Sequence, residues 1–121
     1  MSYDPNNVFA KILRGEIPNQ TVLETPHTLA FRDINPARPT HVLVIPKGAY
    51  VTWDEFAATA GEAEIVDFVR AVAEVARKEG VAETGYRLIQ NNGEHGHQEV
   101  PHLHVHVVGG APAGPMLRRE Q

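Results

Sequence analysis

The sequence predicts an α+β protein in which short antiparallel strands pack against one long helix and one short helix. Two observations support this prediction: β-branched segments cluster toward both ends of the chain, and a single long helical periodicity lies between them. This order favours an antiparallel sheet over a doubly wound parallel one. We expect the 121 residues to form one domain, residues 1–121, with a C-terminal tail from about residue 109.

Five short segments have the alternation and composition of strands. They are residues 21–24, 28–32, 41–45, 86–90 and 103–108. A short helix is expected over residues 8–14, because Asn6 or Asn7 can cap its start and Gly15 can end it.

The long helix is predicted over residues 59–79. Thr59 and Glu62 have the spacing of a capping box, and Gly80 provides a stop. Apolar residues recur at helical spacing and form a stripe along this helix: Ile65, Phe68, Val69, Val72, Ala73 and Ala76. Val66 and Val75 widen the stripe beyond one narrow face. A stripe this wide indicates a helix that covers the sheet and also meets a second subunit, so we expect a homodimer.

The composition excludes several classes of function. The sequence has no cysteine, which rules out disulfides, thiolate nucleophiles and thiolate zinc sites. Its 15 acidic residues outnumber its 11 basic ones, whereas a general nucleic-acid binder carries a basic stripe. The start lacks the blocks of a signal peptide, and no apolar run is long enough for a membrane span. We therefore expect a cytoplasmic protein that binds neither membranes nor nucleic acid.

A row of alternating histidines, His102, His104 and His106, gives the strongest chemical signal. On a strand these rings would project from one face, while Leu103 and Val105 project from the other. Isolated histidines are most often solvated or satisfied polar groups, but strict alternation of three makes that interpretation unattractive. The row therefore indicates an imidazole-based site.

A metal site is one alternative for this row, because His-x-His pairs on strands do bind zinc. At about 3.3 Å per residue, however, the outer two α-carbons lie roughly 13 Å apart, so three rings cannot converge on one ion. At most two could share it, with a further ligand from His41, His95, His97 or Glu99. The sequence favours no metal and no other cofactor.

Nucleophilic catalysis explains the row better. A histidine with a pKa near 6.5 is substantially neutral at physiological pH and can attack phosphorus, while a neighbouring ring carries a proton to the leaving group. Adjacent imidazoles also resist being charged together, which favours one neutral nucleophile beside a charged partner.

The segment from His102 to Val108, His-Leu-His-Val-His-Val-Val, resembles the signature of the histidine triad (HIT) family at every position. Residues 8–12, 29–34, 39–47 and 109–110 are similar to its Hint branch, the histidine triad nucleotide-binding proteins, and residues 114–117 to bacterial members. The resemblance implies a HIT-like five-stranded antiparallel sheet and a dimer. It also implies hydrolysis of purine nucleoside phosphoramidates and aminoacyl adenylates through a nucleotidyl-histidine intermediate, with AMP or GMP derivatives as substrates.

The same resemblance implies roles for individual residues. His104 would be the nucleophile, His106 would contact the phosphate and assist the leaving group, and His102 and His41 would complete the imidazole network. Asp33 would bind the ribose hydroxyls. The remaining expected contacts are Phe9, Ile12, Phe31 and Ile34 around the base, and Asn91, Gln98, Glu99 and Val100 beside the ribose and phosphate.

Simpler interpretations of these residues stay open at this point. Asp33 is also placed to cap a turn before Asn35, the apolar residues are also ordinary core residues, and Asn91 also suits a loop start. Glu99 stands where many relatives have Ser or Thr, and His97 where a glycine is common. The alternative functions are a dinucleoside polyphosphate hydrolase of the same family and a nucleotide-binding scaffold without catalysis.

Overall fold

The computed structural model describes residues 2–119 and shows a five-stranded antiparallel sheet with helices, which confirms the predicted fold class. The spatial order of the strands is β1-β2-β3-β5-β4. Their bounds are β1 Thr21–Glu24, β2 Thr28–Arg32, β3 Thr40–Pro46, β4 Tyr86–Ile89 and β5 Val105–Gly109. The central strand β3 pairs with both β2 and β5, so it anchors the middle of the sheet.

The helices are α1 Val8–Leu13, α2 Trp53–Thr59, α3 Glu62–Lys78 and α4 Val81–Thr84. Helix α1 begins where the sequence predicts, because the Asn7 side chain accepts a hydrogen bond of 2.9 Å from the Ala10 amide. None of the helices in residues 2–119 has the length and apolar character required to span a membrane.

The predicted start of the long helix at Thr59 is wrong. Thr59 is the last residue of α2, and its hydroxyl donates to the carbonyl of Glu55 instead of capping a new helix. Ala60 and Gly61 then adopt extended backbone conformations, so α3 begins at Glu62 with Gly61 as its N-cap. Helix α2 was not predicted, because it buries a single side chain, Phe56, and has no apolar periodicity.

The two faces of the sheet contribute to two separate apolar clusters. Val42, Val44, Leu103, Val105 and Val107 pack with α3 in the main core. The opposite face forms a second apolar cluster of Phe9, Leu29, Phe31, Leu43 and Ile45, with Ile12 and Val100 against it. Because neighbouring residues of a strand point to opposite faces, β3 supplies both clusters and carries His41 on the second face. This second face also carries the candidate functional site.

Candidate active site

A cleft of about 820 Å³ lies on the sheet face that α3 leaves uncovered. Its volume is within the range of pockets that enclose small ligands. It runs from the apolar cluster beside α1 to the end of the histidine row. The lining residues that the sequence analysis named are Phe9, Ile12, Phe31, Asp33, Ile34, Asn91, Glu99, Val100, His104 and His106.

The apolar end of the cleft is built on α1 and β2. Phe9 and Phe31 are buried, and their rings meet edge to face with centroids 5.6 Å apart. Phe9 also contacts the His104 ring at 5.0 Å, so the apolar slot continues directly to the histidines. Ile34 lies at the rim, where it is 92% exposed.

The histidine row only partly belongs to a strand. β5 begins at Val105, so His102 and His104 precede it, contrary to the predicted strand over residues 103–108. The cause is hydrogen bonding: the amide of Leu103 donates to the carbonyl of Tyr50, and that of His102 to Val100, so neither joins the sheet ladder. The alternation nevertheless persists, because Leu103 and Val105 enter the main core and His104 and His106 line the cleft.

His102 lies beneath the cleft and holds the backbone next to His104. The ring is fully buried and lies outside the cleft lining. Its Nε2 donates to the carbonyl of Pro46 at 2.9 Å, and its Nδ1 accepts from the Tyr3 hydroxyl at 2.6 Å. Both ring nitrogens therefore have partners, and the position of the backbone at His102 is fixed.

That backbone determines the tautomer of His104. The carbonyl oxygen of His102 lies 2.7 Å from His104 Nδ1, and because a carbonyl only accepts hydrogen bonds, Nδ1 must carry the proton. In the neutral ring the lone pair is consequently on Nε2. His104 thus offers the cleft an unprotonated nitrogen, the form required of a nucleophile.

A second chain of hydrogen bonds determines the tautomer of His106. The backbone amide of Ala37 donates to His41 Nδ1 at 3.0 Å, which leaves the proton of neutral His41 on Nε2. This Nε2 lies 2.9 Å from His106 Nδ1 and donates to it, so the neutral His106 ring carries its own proton on Nε2. The row therefore presents one nitrogen with a lone pair, on His104, and one N–H donor, on His106.

Burial keeps these rings neutral. It lowers the pKa of His102 to about 4, and the pKa of His106 also falls to about 4 because of burial and the neighbouring His104 and His41. Burial likewise lowers the pKa of His104, although the hydrogen bond to the His102 carbonyl and the carboxylates of Asp33 and Glu99 oppose this. All three rings of the row are therefore neutral near pH 7 in the absence of ligand.

Asp33 has two different neighbours. One carboxylate oxygen accepts from the Asn35 amide at 2.8 Å, which is the turn-capping interaction that the sequence allowed. The other oxygen lies 3.4 Å from His41 Nε2. Since Asp33 also lines the cleft, turn capping and ligand binding are compatible for this residue.

Among the described residues, one group has the spacing of a metal site: Asp33, His41 and His106, whose ligand atoms all lie within 4.8 Å of one another. It contains only one histidine of the row. To bind an ion through Nε2, His41 would have to move its proton to Nδ1, where it would face the Ala37 N–H donor. This arrangement therefore favours a hydrogen-bonded relay over metal coordination.

The loop between β4 and β5 supplies the polar side of the cleft. Glu99 and His97 are exposed at the rim, with His97 Nε2 and Glu99 Oε1 3.2 Å apart. Gln98 lies outside the lining: its amide nitrogen donates to the carbonyls of Val51 and Val100, and its oxygen accepts from the Gly93 amide. The structure thus assigns Gln98 to holding the loop, and Glu99 and Val100 to lining the cleft.

Several residues of the site were not predicted from the sequence. Tyr3 contacts His102 across 99 positions of the chain, a separation with no local signal. The other unpredicted lining residues are Val8, Ile17, Pro18, Asn19, Gln20, Arg32 and Leu43, and His97, named from the sequence only as an alternative metal ligand, also lines the cleft. The alternation of β3 could have revealed Leu43, because it lies two residues after His41 and therefore on the same face.

A sheet face carrying neutral imidazoles next to an apolar slot and an acidic rim defines a small α+β protein with a candidate histidine-based active site. The HIT domain family matches residues 14–113, and the chain belongs to this family. It is 64% identical over 118 residues to an uncharacterized 13.2 kDa HIT-like protein of Azospirillum brasilense, covering 98% of this chain and 97% of the relative.

Two further relatives indicate the kind of chemistry. The chain is 46% identical over 110 residues to the purine nucleoside phosphoramidase of Escherichia coli K12, with 91% of this chain and 92% of the relative covered. The crystal structure of a HIT family hydrolase from Legionella pneumophila Philadelphia 1 superposes with a TM-score of 0.80 at 38% identity, covering 90% of this chain and 96% of that one. These matches support a nucleotide hydrolase of the HIT family as the class of the protein.

Proposed function

We propose that this protein hydrolyses purine nucleoside phosphoramidates, and the related aminoacyl adenylates, through a nucleotidyl intermediate on His104. The observation that carries the proposal is the hydrogen bond from His104 Nδ1 to the His102 carbonyl, which leaves the Nε2 lone pair of a cleft-lining ring free to attack phosphorus. The similarity to the phosphoramidase of Escherichia coli supports the same reaction.

The cleft supplies binding groups that suit a nucleotide. Phe9, Ile12 and Phe31 provide an apolar slot for the flat face of a purine, with Ile34 at its rim. The Asp33 carboxylate can accept hydrogen bonds from the two ribose hydroxyls. Asn91 also lines the cleft, and in this proposal its side-chain amide donates to the phosphate. The Glu99 carboxylate has no hydrogen to donate when ionised, so Glu99 and Val100 would face the phosphate through their backbone, while Gln98 acts through the loop it holds.

In the first step, the nucleotide phosphate raises the pKa of His106, because its negative charge favours the imidazolium form, and His106 takes up a proton from solvent on Nδ1. His41 Nε2–H then donates to the Asp33 carboxylate, 3.4 Å away, instead of to His106. His104 Nε2 then forms a bond to phosphorus while the P–N bond breaks and its electron pair goes to the leaving nitrogen. His106 Nε2–H delivers its proton to that nitrogen, and the amine departs. The positive charge on the His104 ring is stabilised by the His102 carbonyl at 2.7 Å.

In the second step, water attacks phosphorus and the bond to His104 Nε2 breaks, returning the electron pair to the ring. Neutral His106 accepts the proton of the attacking water, so both rings can enter the next cycle once the product and this proton leave. The overall reaction consumes one water and yields a nucleoside monophosphate and a free amine.

This proposal is tested by incubating the protein with an adenosine phosphoramidate and following the release of AMP. We expect turnover to continue in excess EDTA, because imidazole attack needs no metal ion, and mass spectrometry of quenched reactions to place an AMP adduct on His104. Loss of turnover on chelation, restored by zinc, would instead favour a metal site at Asp33, His41 and His106. Faster cleavage of a diadenosine polyphosphate would favour the polyphosphate hydrolase, and nucleotide binding without turnover would favour the scaffold.

We also propose that two copies of the chain associate through β4 and the neighbouring face of α3. β4 is an edge strand, and the side chains around it include Trp53, Val69 and Leu88, which are 43%, 55% and 50% exposed. They border an apolar groove of about 480 Å³ that also contains Val72 and Tyr86. An edge strand beside an apolar face is suited to pairing with its own copy about a two-fold axis.

Leu88→Glu is expected to dissociate this dimer, because it places a charge within the apolar groove. Sedimentation velocity at micromolar concentration should give the mass of two chains for the wild type and of one chain for the variant. Ala58→Glu, which adds the same charge on an exposed position of α2 outside the groove, is the matched control and should stay dimeric. A wild type with the mass of one chain would contradict the proposal.

A further inference from the structure

A second, smaller cavity of about 260 Å³ lies beside the nucleotide cleft. We name it the arginine cavity after Arg38 and Arg87, which line it together with His41, His106, Asn91 and four apolar residues. His106 and Asn91 also line the nucleotide cleft, so the two cavities meet at these side chains. Of the histidine row, His106 alone belongs to both linings, and it is the ring that carries an N–H toward the reaction.

Backbone carbonyls are the hydrogen-bond partners of the two guanidinium groups among the described residues. Arg38 donates to the carbonyls of Ala37, Pro112 and Ala113, and Arg87 to those of Ala113, Gly114 and Pro115. All of these acceptors are neutral. Within residues 2–119, neither arginine lies at salt-bridge distance from a carboxylate, and the residues that line the cavity include no Asp or Glu.

Each guanidinium also keeps donors for a ligand. It has five N–H donors and makes three of the hydrogen bonds above, so further N–H groups remain on both side chains. The bonds to the chain segment around residues 112–115 hold the two charges in place. A fixed pair of uncompensated arginines with spare donors is suited to binding a carboxylate or phosphate.

The reaction brings the leaving group to this cavity. Displacement at phosphorus places the leaving atom opposite the attacking nitrogen of His104, and the leaving nitrogen must reach His106 to receive its proton. Substituents on that nitrogen therefore extend past His106, the residue at which the arginine cavity begins. The cavity has less than a third of the volume of the nucleotide cleft, so it suits a group the size of an amino acid better than a second nucleotide.

We propose that the arginine cavity binds a carboxylate on the leaving amine, so that the preferred substrates are nucleoside phosphoramidates of amino acids with a free carboxyl group. This inference rests on the proposed phosphoramidase function and specifies its substrate class. Arg38 and Arg87 would act as specificity residues that hold the departing amino acid beside His106.

The test compares two substrates that differ only in this charge: the adenosine phosphoramidate of alanine and that of alanine methyl ester. We expect the wild type to have a kcat/KM about 10-fold higher for the free acid, since charge-assisted hydrogen bonds are lost with the ester. In Arg87→Gln and Arg38→Gln this ratio should fall toward one. Arg87→Lys, which retains the charge, should keep a large part of the preference, and Arg77→Gln, a matched change on exposed α3, should keep all of it.

The ratio of kcat/KM for the free acid to that for the ester is measured within each variant. A general loss of stability, or of the hydrogen bonds from the arginines to residues 112–115, therefore does not change this ratio. Hydrolysis of both substrates at equal kcat/KM by the wild type would overturn this inference and leave the phosphoramidase proposal intact. Hydrolysis of neither substrate would overturn the phosphoramidase proposal itself. If the arginine variants instead lose turnover of diadenosine tetraphosphate most strongly, the anion in this cavity is a phosphate chain and the carboxylate assignment is wrong.

Discussion

His104→Asn is expected to lower kcat for an adenosine phosphoramidate by about 10⁴-fold or more, the scale on which enzymes lose rate with their nucleophile. Asparagine retains an amide N–H that can donate to the His102 carbonyl, but it has no nitrogen lone pair able to attack phosphorus. AMP binding should change little, because the apolar slot and Asp33 are untouched. The measurements are steady-state release of AMP and the dissociation constant of AMP by calorimetry.

His95→Asn is the matched control for this variant. His95 is exposed on the same loop that borders the cleft, lies outside its lining, and is replaced by the same residue. Its rate should remain within about two-fold of the wild type, as for most exposed positions. A His104→Asn enzyme with a rate similar to that of His95→Asn would show that another group is the nucleophile.

The second large effect concerns stability at low pH. Burial lowers the pKa of His102 to about 4, whereas the ring in the unfolded chain titrates near 6.5. The unfolded state therefore binds more protons between these values, and stability is fully present above pH 6.5 and lost as the pH falls toward 4. His102 alone should lower the free energy of unfolding by about 3 kcal/mol between pH 7 and pH 4.

Urea unfolding at a series of pH values measures this loss. His102→Asn removes the titrating ring, so its free energy of unfolding should fall about 3 kcal/mol less over the same range, while His95→Asn should follow the wild type. NMR titration of the wild type gives a check that does not depend on the folding of the variant. A His102 resonance that titrates near pH 6.5 in the folded protein would contradict the assignment.

Local patterns were sufficient to predict much of the architecture. The β-branched segment from His41 to Ile45 predicts a strand, and the structure shows that strand with Val42 and Val44 in one apolar cluster and Leu43 in the other. The Asn7 cap was predictable for a similar reason, since its partner Ala10 is three residues away. Such features depend on neighbours in sequence, which is the information that a periodicity contains.

The features that escaped prediction depend on contacts between distant segments. The hydroxyl of Tyr3 meets His102, and the side chain of Gln98 meets the carbonyl of Val51, 47 positions earlier. β5 starts later than predicted because the Leu103 amide donates to the carbonyl of Tyr50, a residue distant in sequence, and so does not join the sheet. The histidines and many of the lining residues were predictable from the sequence, but the division between residues that line the cleft and residues that support it was not.

Main-chain groups determine the proton positions in the imidazole cluster. The Ala37 amide selects the tautomer of His41, the His102 carbonyl selects that of His104, and the Pro46 carbonyl accepts from His102. The positions of these protons are therefore inherited with the path of the polypeptide. A lineage that keeps this path can change the residues lining the cleft, and hence the ligand it binds, without changing which imidazole nitrogens carry protons.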